Sequence, residues 1–145
     1  MTVQYRSAAP SDALACARII LEWGAETPWM VPLDDVEPMA ASWRDLLGLD
    51  SAWTATADGR VVGFCVREDD NITGLYVARR WRNSGIGKRL LDLAREERTW
   101  ITVWAYDANT RARKFYRREG LVEIGREIQQ GTGLIDVEHR WTRPA

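Results

Sequence analysis

The pattern that most limits what this chain can fold into is an alternation of hydrophobic periods. Strand-like runs at Trp53 to Ala57 and Val61 to Val66 are joined by Asp58-Gly59, whose tolerance of positive φ makes a tight hairpin. A third run, Asn71 to Val77, gives way to helical spacing at Ile86, Leu90, Leu93 and Ala94, predicting a helix over Gly85 to Arg98. The same switch recurs from a strand at Ile101 to Ala105 into a helix at Asn109 to Glu119, which carries Ala112, Phe115 and Tyr116 on one side and is closed by Gly120. Val122 to Ile128 and Ile135 to Trp141 form a last strand pair around Gly131-Thr132-Gly133. Upstream, Val3 to Ser7 reads as a strand, and Pro10 suits the first turn of a helix spaced on Ala13, Leu14, Ala17, Ile20 and Leu21 and ended by Gly24. A second helix has Val36, Met39, Ala40, Trp43, Leu46 and Leu47 on one face. The order βααβββαβαββ interrupts the strands with helices only twice after the hairpin. It predicts an α/β fold of the α+β type: a mixed, largely antiparallel twisted sheet flanked by helices, with parallel strands near its middle.

At 145 residues the chain has the length of one domain, expected to span residues 1–145. Its 46% hydrophobic and 28% charged residues exclude a disordered or fibrous protein. A net charge of -1 excludes a general binder of nucleic acid or anionic membrane. No apolar run approaches the roughly 18 residues of a membrane span, and the opening residues lack a signal peptide's apolar core, so a cytoplasmic location is expected. Cys16 and Cys65 are too few for a disulfide scaffold or zinc ribbon; free buried thiols and no metal site are expected.

The chemistry-bearing segment runs from the strand ending at Leu75-Tyr76-Val77 through Arg82-Asn83-Ser84-Gly85-Ile86-Gly87-Lys88 into a helix. Amides at a helix start lack intrahelical acceptors and sit at the positive end of the helix dipole, so a phosphate fits there. A Walker loop would need Gly at position 82 and Ser or Thr at 89, and both are Arg. A dinucleotide fingerprint starting at Gly85 would need Gly where Leu90 stands. What remains, Arg82 with Gly85 and Gly87, resembles the loop of the GNAT superfamily of acetyl-CoA dependent N-acetyltransferases: Gln or Arg, two residues, Gly, one residue, Gly or Ala. Asn109, Ala112, Phe115, Tyr116 and Gly120 form a second match to the family pattern NxxAxxFYxxxGF.

The resemblance implies acetyl-CoA as co-substrate, with its pyrophosphate on the amides of Arg82, Asn83, Ser84, Gly85, Ile86, Gly87 and Lys88. Its pantetheine arm would lie along Leu75, Tyr76 and Val77, with Asn109, Ala112, Phe115 and Tyr116 completing the cofactor site. It implies direct attack, in a ternary complex, by the primary amine of a small molecule, a peptide N-terminus or a lysine. A backbone N–H near Tyr76 or Val77 would polarise the carbonyl. Tyr116 stands at the family's proton-donor position, and a phenol with a pKa of about 10 stays protonated while the departing thiolate, near 8.5, accepts. Asn71 occupies the catalytic position where many relatives carry Glu, and an amide cannot take a proton. Asp69, Asp70, Glu22 or Glu26 acting through water then serve as base, or the enzyme binds the neutral fraction of the amine. Arg79, where many family loops have Pro, is expected to add a phosphate contact.

On the acceptor side the resemblance points to Trp23, Glu26, Trp29, Met30, Trp53 and the Gly131 to Gly133 turn. Trp29, beside carboxylates, would suit a cationic amine. His139, the lone histidine, alternates with Val137 and Trp141 on an apolar face and reads as a packed structural residue. Residues 1–70 hold twelve acidic and five basic side chains, and residues 71–145 nine acidic and fifteen basic, so near-neutrality conceals a division. Exposed sheet edges permit a homodimer. The competing expectation is a non-catalytic CoA-binding sensor or partner module, motivated by Asn71.

Overall fold

The computed structural model describes residues 2–145. Seven strands form one sheet: β1 (Val3–Ser7), β2 (Ala52–Ala57), β3 (Arg60–Glu68), β4 (Asn71–Val77), β5 (Trp100–Tyr106), β6 (Val122–Ile128) and β7 (Ile135–Thr142). Their spatial order is β1-β2-β3-β4-β5-β7-β6, and every neighbouring pair is antiparallel except β4 with β5. The mixed, largely antiparallel sheet expected from the periodicity is therefore present, with its parallel element confined to that one pair.

The helices are α1 (Ala13–Ala25), α2 (Val36–Arg44), α3 (Ile86–Arg95) and α4 (Thr110–Arg118). None is long and apolar enough to cross a membrane among the described residues. α1 is preceded by a 3-10 turn, Pro10–Asp12, in which the Asp12 carboxylate accepts the Ala9 N–H at 2.8 Å and pairs with both terminal nitrogens of Arg6 at 2.9 Å. Gly24 does not end α1 as expected. It lies inside the helix, and the Leu33 side chain packs 2.5 Å from where a Cβ would sit. α2 is shorter than its apolar pattern predicts, because Leu46 and Leu47 form a separate 3-10 turn that still buries Leu47 completely. α3 stops at Arg95, three residues before the expected Arg98, since Glu96 is extended and Glu97 takes a left-handed φ of 60°.

Two apolar cores lie on opposite faces of the sheet. One joins α1 and α2 to Ala52, Phe64 and Val66; the other joins α3 and α4 to Ala55, Cys65, Ile72 and Val103. The alternation of Phe64, Cys65 and Val66 between them is the period of a strand buried on both sides.

The ladder of β4 contains the feature that positions everything else. Val66 pairs with Gly74 but Arg67 pairs with Ile72, so Thr73 is an extra residue, a β-bulge. On its other side β4 pairs with β5 only at Asn71–Thr102 and Ile72–Val103, and pairing stops where the bulge begins. Bulges bend the strand that carries them and increase its local twist, so β4 turns away from β5 and a wedge opens between them. Just beyond the bulge, α2 presses Trp43 against β4 at Gly74, where a Cβ would lie 2.6 Å from the ring. Gly74→Ala is expected to cost about 1–3 kcal/mol through overpacking, read as a lowered urea midpoint at unchanged m-value.

Candidate active site

The wedge is a cleft of about 930 Å³. Thr73 to Val77 of β4 form one wall and Val103 to Tyr106 of β5 the other, with the start of α3, the inner face of α4 and the loop after α1 around them. Past Ile72 the facing edges of the two strands have no ladder between them. Buried backbone N–H and C=O groups require partners, so these edges suit an extended ligand bearing amides.

At one end of the cleft is the start of α3. Its cap, Gly85, has a left-handed φ of 89°, and no side chain caps the helix. The first amide to enter the helical ladder is that of Arg89, which donates to the Gly85 carbonyl at 3.1 Å. The amides of Ile86, Gly87 and Lys88 thus have no helical acceptor, and residues 83–85 are exposed. α4 differs: Asn109 Oδ1 accepts the Ala112 N–H at 3.1 Å. Both helix starts line the cleft, and that of α3, with no side-chain cap, is the one whose amides are left for an anion.

Of the expected cofactor residues, Leu75, Tyr76, Val77, Arg82, Asn83, Gly85, Gly87 and Lys88 line the cleft. So do Asn109, Ala112, Phe115 and Tyr116 of the second motif. Two side chains of the loop do not. The Ser84 hydroxyl donates to the Trp81 carbonyl, and Ile86 is buried in the core beneath α3. Asn71 also lies outside the cleft: at the closed end of the wedge its Oδ1 accepts the Thr102 hydroxyl at 3.1 Å. Its position inside the last paired segment of β4, before the bulge, is what keeps it away.

On the acceptor side Glu26 and Trp29 line the cleft, whereas Met30, Trp53 and the Gly131 to Gly133 turn do not. Trp53 packs on the opposite face of the sheet, with the Arg67 guanidinium 5.4 Å from its ring. Of the carboxylates considered as base, Glu22, Glu26 and Asp70 are engaged, and Asp69 lies outside the cleft. Glu26 is bridged to Arg82 and lies 3.5 Å from Arg79, and Glu22 accepts the Arg79 N–H at 2.8 Å. Asp70 pairs with Arg98 at 3.1 Å, and neither Asp69 nor Asp70 lines the cleft. Arg79, expected to reach a phosphate, instead faces Glu26. Arg82 also donates through Nε to the Val77 carbonyl at 3.1 Å, tying the end of β4 to the end of α1.

Several lining residues went unnoticed in the sequence. Thr73 and Trp104 are among them, and Tyr106 extends β5 one residue past its expected end. Arg111, Lys114 and Arg118 point into the cleft from one face of α4, and without a carboxylate partner among the described residues. The concentration of basic residues in 111–118 is visible in the sequence, and the i, i+3, i+7 spacing selects the three that line the cleft.

Tyr116 is 5% exposed, its ring 5.4 Å from Phe115 and 5.6 Å from His139. Burial is the main cause that pushes its phenol far above the ordinary value, and it raises Tyr76 to about 12. Both keep their protons at neutral pH. His139 is buried with its Nδ1 unpartnered, and burial, the largest cause, lowers its pKa from 6.5. Cys16 and Cys65 are buried, and burial lifts each thiol to about 12.

The fold and the site together define a transferase-type cleft: a wedge between two parallel strands, edged by unpaired backbone and closed by an uncapped helix and a row of cations. The chain belongs to the acetyltransferase (GNAT) domain family, whose pattern matches residues 49–123, and acetyl-CoA is the co-substrate of that family. Among solved structures the fold is similar to that of apo-form YjaB from Escherichia coli, at 18% identity and a TM-score of 0.79 over 97% of each chain. YncA from Salmonella typhimurium, solved with its cofactor acetyl-CoA, has 18% identity and a TM-score of 0.71, covering 98% of this chain and 94% of its own. PaiA N-acetyltransferase from Thermoplasma acidophilum, in complex with coenzyme A, has 16% identity and a TM-score of 0.70, covering 97% and 100%. No curated protein matches the sequence.

Neither cysteine should react with a thiol reagent at mildly alkaline pH until the chain unfolds; labelling kinetics with and without denaturant check this. Because His139 is depressed in the folded state, the unfolded chain takes up its proton first. Its stabilising contribution is present above 6.5 and is lost as pH falls towards the folded value. Urea midpoints between about pH 7.5 and 5 should decline less steeply in His139→Gln than in the parent.

Proposed function

We propose that the protein is an N-acetyltransferase that brings acetyl-CoA and a primary amine together in the β4–β5 cleft. Bound acetyl-CoA supplies an acetyl group activated as a thioester. One observation carries this reading: an uncapped helix start and two unpaired strand edges meet in one cleft, which gives an anionic, amide-bearing ligand a partner at each end. The amides of Gly85 to Lys88 hold the diphosphate, and Arg111, Lys114 and Arg118 add positive charge along the same wall. The backbone of β4 from Thr73 to Val77 takes the amides of the pantetheine arm, and an N–H near Tyr76 or Val77 stabilises the oxygen on which charge develops.

Tyr116 is the proton donor to the departing sulfur. Its burial keeps the phenol protonated throughout the neutral range, as a donor needs. Asn71, bonded to Thr102 outside the cleft, has no part in the proton transfers. The cleft offers no unpaired carboxylate, and an ammonium placed among Arg79, Arg82 and aromatic rings is shifted towards its neutral form by desolvation and by like charge. Binding of the neutral amine therefore removes the need for a base before attack, and the proton the nitrogen sheds afterwards returns to the Tyr116 phenolate left by protonation of the sulfur.

The test is acceptor-dependent release of free thiol from acetyl-CoA across a panel of amines, run alongside calorimetric binding of CoA. Binding without release from any amine would make this a CoA-binding module instead. Tyr116→Phe is expected to lower kcat by about 10²- to 10⁴-fold while leaving the Kd for CoA within about twofold. A mutant with parental kcat removes Tyr116 from the mechanism.

A further inference from the structure

Resting on the acetyltransferase reading, we infer that the acceptor is a flat, aromatic primary amine carrying no second positive charge, held against Trp29 and Tyr106. The wall on the α1 side of the cleft is a chain of rings in edge-to-face contact. Tyr76 and Trp23 are 6.0 Å apart at 71°, Trp23 and Trp29 5.9 Å at 79°, and Trp29 and Tyr106 5.6 Å at 66°. All four line the cleft; the Tyr76 ring is packed among Phe64, Trp43 and Trp23, while Trp23, Trp29 and Tyr106 are partly exposed and are the rings open to a ligand. A flat apolar group gains both desolvation and ring-to-ring contact there.

Charge excludes the alternatives. Only two carboxylates line the cleft, Glu26 and Glu119. Glu26 is engaged by Arg82 and Arg79, and Glu119 by Lys88 at 3.4 Å and Arg95 at 3.0 Å. Beside the aromatic wall Glu26 is already held by Arg79 and Arg82, and the cofactor's phosphates are taken up by α3 and α4, so the further cations of a polyamine or a lysine-rich peptide would find no free carboxylate of the protein there. A monoamine brings a single charge, and that charge must be lost before attack in any case.

The hairpin between β6 and β7 contributes at one remove. The Tyr106 hydroxyl donates to Gln129 Oε1 at 3.1 Å, and the same oxygen accepts the Thr132 hydroxyl at 2.8 Å. Gln129 and Thr132 do not line the cleft and are positioning residues that set the tilt of the Tyr106 ring.

The experiment compares 2-phenylethylamine and tryptamine with putrescine, spermidine and a lysine peptide, by kcat/KM from thiol release and by quenching of tryptophan fluorescence in CoA-loaded protein. The aromatic amines are expected to be favoured by at least about tenfold in kcat/KM, consistent with one good apolar contact. Trp29→Leu should raise KM for 2-phenylethylamine about tenfold and abolish its quenching, Trp29→Phe should recover most of the loss, and CoA affinity by calorimetry should be unchanged in both. Turnover that favours the polyamines, or a Trp29→Leu enzyme with parental KM for the aromatic amines, overturns this inference and leaves the acetyltransferase reading standing. CoA binding with no release from any amine overturns both.

Discussion

The one residue by which β4 exceeds its partner β3 is the constraint on which the rest of the structure depends. Thr73 has no opposite number, and the ladder between β4 and β5 ends where it begins. Without the bulge two parallel strands would remain hydrogen-bonded along their length and the middle of the sheet would be closed. With it, the strands separate while each keeps its outer neighbour, β3 on one side and β7 on the other. The walls of the wedge are anchored by antiparallel ladders, unbroken between β5 and β7 and bulged once between β3 and β4, and by α3 packed across one face, while Trp43 presses against Gly74 on the other. An opening of this kind leaves backbone groups that water or a ligand must satisfy.

Electrostatics divides the cleft more finely than the division of charge along the chain. The acidic first half does reach the cleft, through Glu26, but that carboxylate, like Glu22 beside it, is taken up by the loop that follows β4. Glu26 with Arg82 works as a clasp between α1 and the end of β4, holding the aromatic wall beside the cofactor wall. The cations left over all lie along α4. A chain of almost zero net charge thus presents a cleft with unpaired cations along α4 and, elsewhere, an aromatic wall beside which Glu26, Arg79 and Arg82 are paired with one another.

Much of this was legible in advance. Element types and order followed from hydrophobic period, Gly85, Gly87 and Asn109 were marked by glycine and cap chemistry that acts over a few residues, and Arg82 and Tyr116 by the family patterns that contain them. Ser84 and Ile86 were placed in the right loop but their side chains turn elsewhere, because a loop's spacing says which amides are near and not where each side chain points. Asn71 was placed by resemblance to a family position, and its bond to Thr102 outside the cleft depends on the register of β4 against β5, which a motif does not record. The ends of α2 and α3 depend on how the chain turns to meet β2 and β5, which no local preference records.

The amino-acid sequence by itself determined the alternation of strands and helices, the glycine-bearing helix start and the count of charges, since each depends on the backbone preferences and solvation of neighbouring residues. Tertiary structure alone decided which charges survive as charges. Glu26, Arg79 and Arg82 are unremarkable as isolated side chains, and only the packing of α1 against the loop after β4 neutralises them. It likewise decided that Trp23, Trp29, Tyr76 and Tyr106, drawn from three separate stretches of chain, share one wall. Distances between residues remote in sequence are set by the closure of the whole sheet, and it is those distances that turn a set of side chains into a site.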